Sequence, residues 1–426
     1  MYYKAPRGTQ DILPGDQAHW RYVIDKAGQL AHRFGYQRID TPVFEQAGLF
    51  VRTVGEGTDI VEKETYTFRD RGDEEVTLRP EGTAPICRAY LEKGMHSLPQ
   101  PVRLFYFSPI FRYERPQSGR FRQHHQFGVE AIGDSNPAVD AEVIQLGWEF
   151  TKLLGLENLD LLLNTIGDSE CRPIYLNSLR DYYHQPVLEG LVCPDCELRY
   201  ERNVLRMLDC KRTDFSCQVL GDQAPASFDH LCENCKTHWE TLTNHLHSMH
   251  IPFQTSHRLV RGLDYYTKTV FEIQPNSERG AQNTILAGGR YDGLIQELGG
   301  VSTPGIGFGS GIERLILNIK RQKLPVPFPS RTQVTIITLS QESVPLGLTT
   351  ASDLRRKEIS VVLAPPSRSL RGQMRFATSM NSRFVVIIGE DEINRGTLTL
   401  KDMDSGEQSQ IPENELSELV VSQTKA

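Results

Sequence analysis

The first regular pattern of hydrophobic positions lies near the start of the chain. Apolar residues recur there in steps of three and four, which places them on one face of a helix: Trp20, Val23, Ile24, Ala27, Leu30, Ala31 and Phe34. Asp16 is expected to cap this helix and Gly35 to end it. A second helix is predicted from Ala138 to Leu154.

From Arg38 to about Glu130 the pattern changes to short segments in which apolar and polar residues alternate. Glycines and prolines separate these segments from one another. This alternation predicts an antiparallel sheet with one working face. The predicted strands lie at 38–42, 75–79, 103–107 and 125–130, with a further strand at 258–273 and a Gly-rich strand that runs into a helix at 305–319.

The later part of the chain divides into distinct segments. Residues of about 170–250 are polar, Cys-rich and largely helical in pattern, so they are predicted to be an insertion in a first domain at 1–325. Clustered prolines predict a linker at 326–332. Beyond it, at 333–426, strands and helices alternate as βαβαβ, which favours a small parallel or mixed sheet.

Composition narrows the class of protein. A chain of 426 residues with 38% hydrophobic and 24% charged residues is typical of a globular protein of several domains. The longest apolar run, 384–388, is far shorter than the roughly 20 residues of a membrane helix. No apolar segment follows a basic start, so we expect a cytoplasmic protein without membrane contact. The net charge of −7 argues against a non-specific nucleic-acid coat.

The segment 111–130 carries the most informative charge pattern. Between Arg112 and His125 it holds four arginines against one glutamate, and Pro116 and Gly119 predict a turn. The planar guanidinium suits phosphate oxygens, so this hairpin could cover ATP, RNA or both. The alternative is a solvated surface hairpin. His124 and His125 have no metal-ligand spacing, and we expect them in a loop or on the surface.

Three further peptides favour a binding site. The segment 77–83 ends a strand with an exposed carboxylate and hydroxyl, and 261–266 combines one cation with two phenols. Glycines at alternate positions in 305–311 leave one face of the strand without side chains, so that a flat ring can lie against the backbone. A dinucleotide-binding fold is disfavoured, because the third glycine is misplaced and no early βαβ unit precedes it.

Together these peptides resemble the class II aminoacyl-tRNA synthetases, and among them the histidyl-tRNA synthetase family. The segments 38–42, 111–130 and 305–314 are similar to motifs 1, 2 and 3 of the class. The peptides 261–266 and 287–293 resemble two peptides peculiar to the histidine enzymes, and 7–14 resembles their amino-terminal signature.

The resemblance implies an α+β catalytic domain built on an antiparallel sheet, a helical insertion and a C-terminal α/β anticodon-binding domain. It implies a histidine–tRNA ligase that activates L-histidine with ATP, accompanied by Mg²⁺, and transfers it to the 3′ end of tRNA(His). Because motif 1 builds a dimer interface in this class, a homodimer is expected. A regulatory paralogue that acts in histidine biosynthesis, and another class II synthetase, are the alternatives.

The resemblance also assigns roles to residues. Arg112 and Arg261 would contact the α-phosphate, and Arg314 the γ-phosphate end of a bent ATP. The histidine ammonium would be held by Glu81, Thr83 and Gln126, and the imidazole by Glu130, Tyr265 and Tyr266. The spacing alone places Gln126 and Glu130 on one strand face. The tRNA acceptor end would meet Arg115, Gln117 and Arg120.

Charge in the last domain favours RNA. From Arg355 to Arg383 there are seven basic residues and one acidic residue. Such an excess inside an acidic protein is typical of phosphate contact, although a solvated helix face is the alternative.

Two Cys-x-x-Cys pairs, Cys193 with Cys196 and Cys232 with Cys235, are separated by 35 residues. They could form a structural zinc site in the insertion, although the separation exceeds the usual 15–20 or so. Cys210 or Cys217 could replace one ligand, and the alternative is buried reduced thiols.

Overall fold

A computed structural model of the chain describes residues 3–55, 58, 60–117, 119–276, 284–327 and 331–424. The chain forms two compact units, Met1–Val326 and Pro327–Ala426. Residues 328–330 of the predicted linker lie outside the described residues, and the limits 325 and 333 stay predictions. Among the helices described, none combines the length and hydropathy that a membrane-spanning segment requires.

The first unit mixes helices and strands along its whole length. Its helices are α1 Gln17–Arg33, α2 Ala47–Val54, α3 Thr83–Glu92, α4 Pro137–Leu153, α5 Arg172–Leu188, α6 Pro194–Arg202, α7 Cys217–Gln223, α8 Glu233–Ser248, α9 Leu294–Glu297 and α10 Ile312–Arg321. Its strands are β1 Gln37–Arg38, β2 Phe44–Gln46, β3 Tyr66–Arg69, β4 Glu75–Leu78, β5 Val102–Phe111, β6 Gln123–Ile132, β7 Leu159–Thr165, β8 Gln254–Thr255, β9 Thr267–Pro275, β10 Leu286–Arg290 and β11 Gly305–Gly311.

The main sheet of this unit contains, in its described part, eight strands in the order β1-β5-β6-β11-β10-β9-β7-β8. Every pair from β5 to β7 is antiparallel, and only the two edge pairs, β1 with β5 and β7 with β8, are parallel. The predicted antiparallel catalytic sheet is therefore confirmed. A separate small sheet has the order β2-β4-β3.

Helix α1 packs on the main sheet as its pattern predicts. Its buried residues are Trp20, Val23, Ala27, Leu30 and Ala31. The predicted cap differs, because the side chain of Asp16 makes no capping hydrogen bond and instead pairs with Lys320 at 2.7 Å. A carboxylate that is already bound to a cation has less to gain from the backbone N–H groups at the start of the helix.

Two predicted strands are shorter in the structure. The segment 38–42 contributes only the two residues of β1, and the strand expected at 258–273 begins at Thr267. In the preceding segment the carbonyls of His257 and Leu259 accept hydrogen bonds from Asn164 Nδ2, at 3.3 and 3.0 Å. Because the Asn164 side chain donates hydrogen bonds to these carbonyl groups, they need no partner on a neighbouring strand.

The insertion is helical, as predicted, and consists of α5 to α8 with short helical turns at Val204–Met207 and Ser227–His230. The second half of α8 carries Leu242 and Leu246, which are fully buried in the core beside the main sheet. The insertion is therefore packed against the sheet along its last helix.

The second unit has the predicted βαβαβ order. Its strands are β12 Val334–Thr338, β13 Val361–Leu363, β14 Phe384–Ile388, β15 Thr397–Asp402 and β16 Gln408–Pro412, and its helices are α11 Val344–Arg356, α12 Leu370–Ser379, α13 Glu390–Arg395 and α14 Leu416–Thr424. The sheet order is β13-β12-β14-β15-β16, with the first three strands parallel and the last two antiparallel.

A buried ion pair joins helix α4 to the main sheet. Asp140 and Arg290 are both fully buried, and Arg290 Nε lies 3.1 Å from Asp140 Oδ1. The same carboxylate accepts hydrogen bonds from Thr269 Oγ1 at 2.6 Å and contacts His238 Nε2 at 2.9 Å. Arg290 also donates to Asp292 Oδ1 at 2.9 Å. The network therefore connects α4, α8, β9 and β10.

Removal of the negative charge in this network should destabilise the first unit. Asp140→Asn leaves the Arg290 guanidinium without its buried counter-charge, so we expect a loss of about 3–5 kcal/mol in the free energy of unfolding. The measurement is urea unfolding of the full chain. The control is Glu142→Gln on the same helix, whose partly exposed pair with Arg103 should contribute less than about 1 kcal/mol. Equal losses in the two variants would contradict this account.

Candidate active site

One cavity of about 270 Å³ lies on the main sheet. Its walls come from the turn before α3, the loop between β5 and β6, strands β6 and β11, the segment before β9, and the start of α10. It collects predicted site residues from all these elements: Glu81, Thr83, Arg112, Arg120, Gln126, Arg261, Tyr265, Tyr266 and Arg314. The structure thus brings together groups that lie up to 233 positions apart in sequence, from Glu81 to Arg314.

The three predicted phosphate-binding arginines all line this cavity, and each is held by the protein. Arg112 Nε donates to the carbonyl of Pro80 at 2.7 Å. Arg314 donates to the carbonyls of Gly119 and Thr284, at 3.2 and 3.0 Å. Arg261 forms an ion pair with Glu272 on β9. The cations are therefore fixed in direction before any ligand binds.

The positive charges affect one another. Burial, together with the nearby Arg120 guanidinium, lowers the pKa of Arg314. Burial is the largest influence on the Arg261 guanidinium and lowers its pKa, but the Glu272 carboxylate together with Tyr266 and Tyr265 raises that pKa overall. A cavity that crowds cations in this way is electrostatically suited to a polyanion.

The opposite part of the cavity is acidic. The Glu81 carboxylate accepts hydrogen bonds from the backbone N–H groups of Thr83 at 2.6 Å and Ala84 at 2.7 Å, at the start of α3. Burial raises the pKa of Glu81, and these N–H groups oppose that shift only in part. Its position is set by the helix terminus, where backbone donors lack partners within the helix.

Glu130 is buried directly behind this acidic part and is not itself a lining residue. Its oxygens accept hydrogen bonds from Thr83 Oγ1 at 2.9 Å and from the Tyr291 hydroxyl at 2.5 Å. Burial raises the pKa of Glu130 to about 8 in spite of these donors. The carboxyl group is therefore largely protonated at neutral pH in the empty site.

Glycines of β11 make room for the polar residues of β6. A Cβ at Gly307 would overlap the carboxylate of Glu130, and a Cβ at Gly309 would overlap the amide of Gln126. The predicted bare strand face is therefore present, and side chains of the neighbouring strand occupy it. This arrangement leaves Gln126 and Glu130 on the same side of the sheet, as their spacing predicts.

The two tyrosines of the segment before β9 form an aromatic wall. The ring centroids of Tyr265 and Tyr266 are 4.7 Å apart, and Tyr265 makes an edge contact with Tyr291 at 6.0 Å. The guanidinium of Arg261 lies 5.8 Å from the Tyr266 ring centroid. This wall joins the cationic and acidic parts of the cavity.

The residues predicted to meet the tRNA acceptor end lie in the loop between β5 and β6. Arg115, Gln117 and Arg120 are all exposed. Arg120 lines the cavity and pairs with Glu114, whereas Gln117 lines a neighbouring groove with residues of the amino terminus. Arg115 is not among the lining residues of either. The structure thus brings one of the three to the cavity itself.

The expectation of loop or surface positions for His124 and His125 is wrong, because both lie in strand β6. His124 lines the cavity, and burial together with Arg112 and Arg314 lowers its pKa to about 3, so its ring is neutral. His125 points the other way, where its Nδ1 lies 2.9 Å from Glu313. Positions 124, 126 and 130 differ by even numbers, so their side chains lie on the same face of β6. This spacing is a signal that could have identified His124.

Sequence reasoning also missed acidic residues of the cationic part. Glu272 pairs with Arg261, and Glu114 pairs with Arg120 at the cavity edge. Glu272 alternates with buried residues on β9, which is a weak signal because partly exposed polar positions on strands are common.

The predicted single zinc site requires correction. Cys193 and Cys196 lie with Cys210 and Cys217, whereas Cys232 and Cys235 lie with Asp168 and Cys171. The two Cys-x-x-Cys pairs, at the starts of α6 and α8, thus belong to separate groups of ligand atoms and do not share one ion. No cysteine of the described chain lines the candidate active-site cavity.

Comparisons with known proteins agree on one family. The family model described as histidyl-tRNA synthetase matches residues 8–315, and the model described as anticodon binding domain matches residues 333–423. A histidine–tRNA ligase of Dehalococcoides mccartyi is 52% identical over 97% of this chain and 98% of its own. One of Desulforamulus reducens is 48% identical over 98% of both chains.

Solved structures give the same assignment. An apo histidyl-tRNA synthetase from S. aureus superposes with a TM-score of 0.81 at 36% identity, and the match covers 98% of this chain and 100% of that one. An ATP phosphoribosyltransferase regulatory subunit/histidyl-tRNA synthetase from Bacillus halodurans is 23% identical with a TM-score of 0.64, over 91% and 98% of the two chains, and shares the fold. The chain belongs to the histidyl-tRNA synthetase family.

Proposed function

We propose that the chain is a histidine–tRNA ligase, which joins L-histidine to tRNA(His) at the expense of ATP. The observation that carries this proposal is the convergence of Arg112, Arg261 and Arg314 on a cavity that Glu81 also lines. Glu130 lies directly behind this cavity, hydrogen-bonded to the lining residues Thr83 and Tyr291. A triphosphate needs the cations, and an amino acid with an ammonium and an imidazole needs the acceptors.

In the first step a histidine carboxylate oxygen attacks the α-phosphorus of ATP. A new oxygen–phosphorus bond forms, the bond to the β-phosphate oxygen breaks, and pyrophosphate leaves. Such a step needs positioning and charge neutralisation more than it needs a side-chain nucleophile. Arg112 and Arg261 would neutralise the α-phosphate, and Arg314 would hold the γ-phosphate. Mg²⁺ would accompany the ATP phosphates.

The acidic part of the cavity would select histidine. Glu81, Thr83 and Gln126 would hold the ammonium, and Glu130 with the Tyr265 and Tyr266 wall would hold the imidazole. An imidazole N–H donates to a carboxylate, and its other nitrogen accepts a proton or a hydrogen bond. Since Glu130 holds a proton near neutral pH, it could serve either nitrogen of the ring.

In the second step a terminal hydroxyl of tRNA attacks the acyl carbon of the adenylate, and AMP leaves. The exposed Arg115, Gln117 and Arg120 would meet the acceptor end at the cavity rim. In the second unit, Arg368, Arg371 and Arg375 are exposed and follow one another by three and four positions at α12. That stripe would contact anticodon phosphates. We further propose that the chain forms a homodimer, acts in the cytoplasm and holds zinc with cysteines of the insertion.

The regulatory alternative would need a chain that binds histidine without reacting. All three cavity arginines are in place here, and the second unit matches the anticodon-binding model over residues 333–423. These features favour the ligase.

Exchange of pyrophosphate into ATP tests the first step. The purified chain should catalyse this exchange when L-histidine is added and fall to background with any other amino acid, because only an imidazole completes the contacts to Glu130 and Tyr266. Exchange that is independent of histidine, or absent altogether, would overturn the ligase proposal.

Arg261→His should reduce the rate of adenylate formation by about 10²–10³-fold, because the shorter, neutral ring leaves the developing phosphate charge unbalanced. Histidine binding, followed by calorimetry, should stay within a few-fold. The control is Arg69→His, which removes an exposed arginine that does not line the cavity and pairs with Asp73. An Arg261 variant that exchanges pyrophosphate at the parental rate would remove this role.

Glu130→Gln should stabilise the empty protein while it weakens histidine binding. Between pH 4.5 and about 8 the folded chain keeps a proton that the unfolded chain has released. Stability therefore falls as pH rises through this window, by up to about 1.4 kcal/mol per pH unit, and glutamine removes that loss.

The melting temperature of the Glu130→Gln variant should accordingly exceed that of the parent by a margin that grows from pH 5 to about pH 8 and then levels off. The KM for histidine should rise about tenfold or more. A margin that does not change with pH would contradict the buried, protonated state of Glu130.

A further inference from the structure

Seven of the eight cysteines lie in two clusters, and only Cys87 lies outside them. The first cluster is Cys193, Cys196, Cys210 and Cys217, and the second is Asp168, Cys171, Cys232 and Cys235. In each, the four ligand atoms lie within 4.8 Å of one another. We propose that the insertion binds two zinc ions, one in a closed four-cysteine site and one in a separate site of three cysteines and a carboxylate.

The first cluster has the features of a structural zinc site. Cys193 and Cys196 lie at the start of α6, Cys210 lies in the following loop, and Cys217 begins α7. All four side chains are buried. The backbone N–H of Cys193 donates to Cys217 Sγ at 3.2 Å, which holds this sulfur within the cluster. Four buried thiolates with no free position are typical of structural zinc.

The distances fit one ion rather than a disulfide. Cys193 Sγ and Cys210 Sγ are 3.7 Å apart. Two thiolates on one tetrahedral zinc, with zinc–sulfur bonds of about 2.3 Å, are about 3.8 Å apart, whereas disulfide sulfurs are about 2.05 Å apart. An iron–sulfur cubane would hold its cysteines farther apart, because each binds a different iron.

The second cluster repeats the Cys-x-x-Cys arrangement at the start of α8, with Cys232 before the helix and Cys235 in its first turn. The other two ligands, Asp168 and Cys171, lie between β7 and α5. Cys232 Sγ is 3.8 Å from Asp168 Oδ1 and Cys171 Sγ is 3.5 Å from it. A thiolate and a carboxylate oxygen on one tetrahedral zinc are about 3.6 Å apart.

The two sites differ in what they would connect. The first would hold α6 and α7 together inside the insertion. The second would join the start of α8 to the end of β7, a strand of the main sheet. Cys232 is only half-buried, unlike the four ligands of the first cluster. An added chelator should therefore remove the second ion faster than the first.

Metal content distinguishes two sites from one. Elemental analysis of the full chain, free of tags and kept reduced, should give two zinc ions per chain. Cys217→Ser and Cys235→Ser should each lower this value to one, and the control Cys87→Ser should retain two. A parental value of one or none, iron in place of zinc, or loss of both ions in each single variant would overturn the proposal.

Asp168→Cys gives a test that does not depend on losing a ligand. If Asp168 is a ligand, this variant keeps two ions and turns the second site into a four-thiolate site. In the cobalt-substituted protein its sulfur-to-cobalt absorption should rise by about one seventh, from seven thiolates to eight. Unchanged absorption with two bound ions would exclude the carboxylate as a ligand. Neither readout requires the protein to be an active ligase.

Discussion

The candidate active site depends on the close pairing of β6 with β11. Polar side chains of β6 point into the space that side chains at positions 307 and 309 would otherwise fill. Glu130 and Gln126 can therefore lie close against the backbone of β11, where Glu130 is buried and Gln126 faces the cavity. Burial in that place, rather than a neighbouring charge, is the largest cause of the raised pKa of Glu130. Gly307 thus determines both the position and the protonation of Glu130.

The cationic part is organised by a different means. Its arginines come from three distant segments, and backbone carbonyls of Pro80, Gly119 and Thr284 hold two of them. Carbonyls orient a guanidinium without cancelling its charge, so the net positive potential remains available to a ligand. Arg261 has a carboxylate partner, Glu272, with which a phosphate would have to compete.

Much of this could be predicted from the sequence, for physical reasons that differ from element to element. Helix α1, the parity of Gln126 and Glu130, and the βαβαβ order follow from hydrophobic period alone. The irregular segment before β9 could not be predicted, because its backbone is satisfied by the distant Asn164 side chain. The cysteine grouping also depends on tertiary folding: spacing suggested one ion, whereas α6 and α8 start in different places.

Helix α5 has a further bearing on how the insertion relates to its host. Arg172, its first residue, donates to the carbonyls of Ile166 at 3.2 Å and Gly167 at 3.3 Å, and also to the carbonyl of Tyr266. One guanidinium thus fastens the root of the insertion to the wall of the cavity. The insertion therefore cannot be removed without affecting the cavity. A shortened variant that keeps only the catalytic core must retain the first turn of α5, because Arg172 holds the backbone of Tyr266 in the aromatic wall.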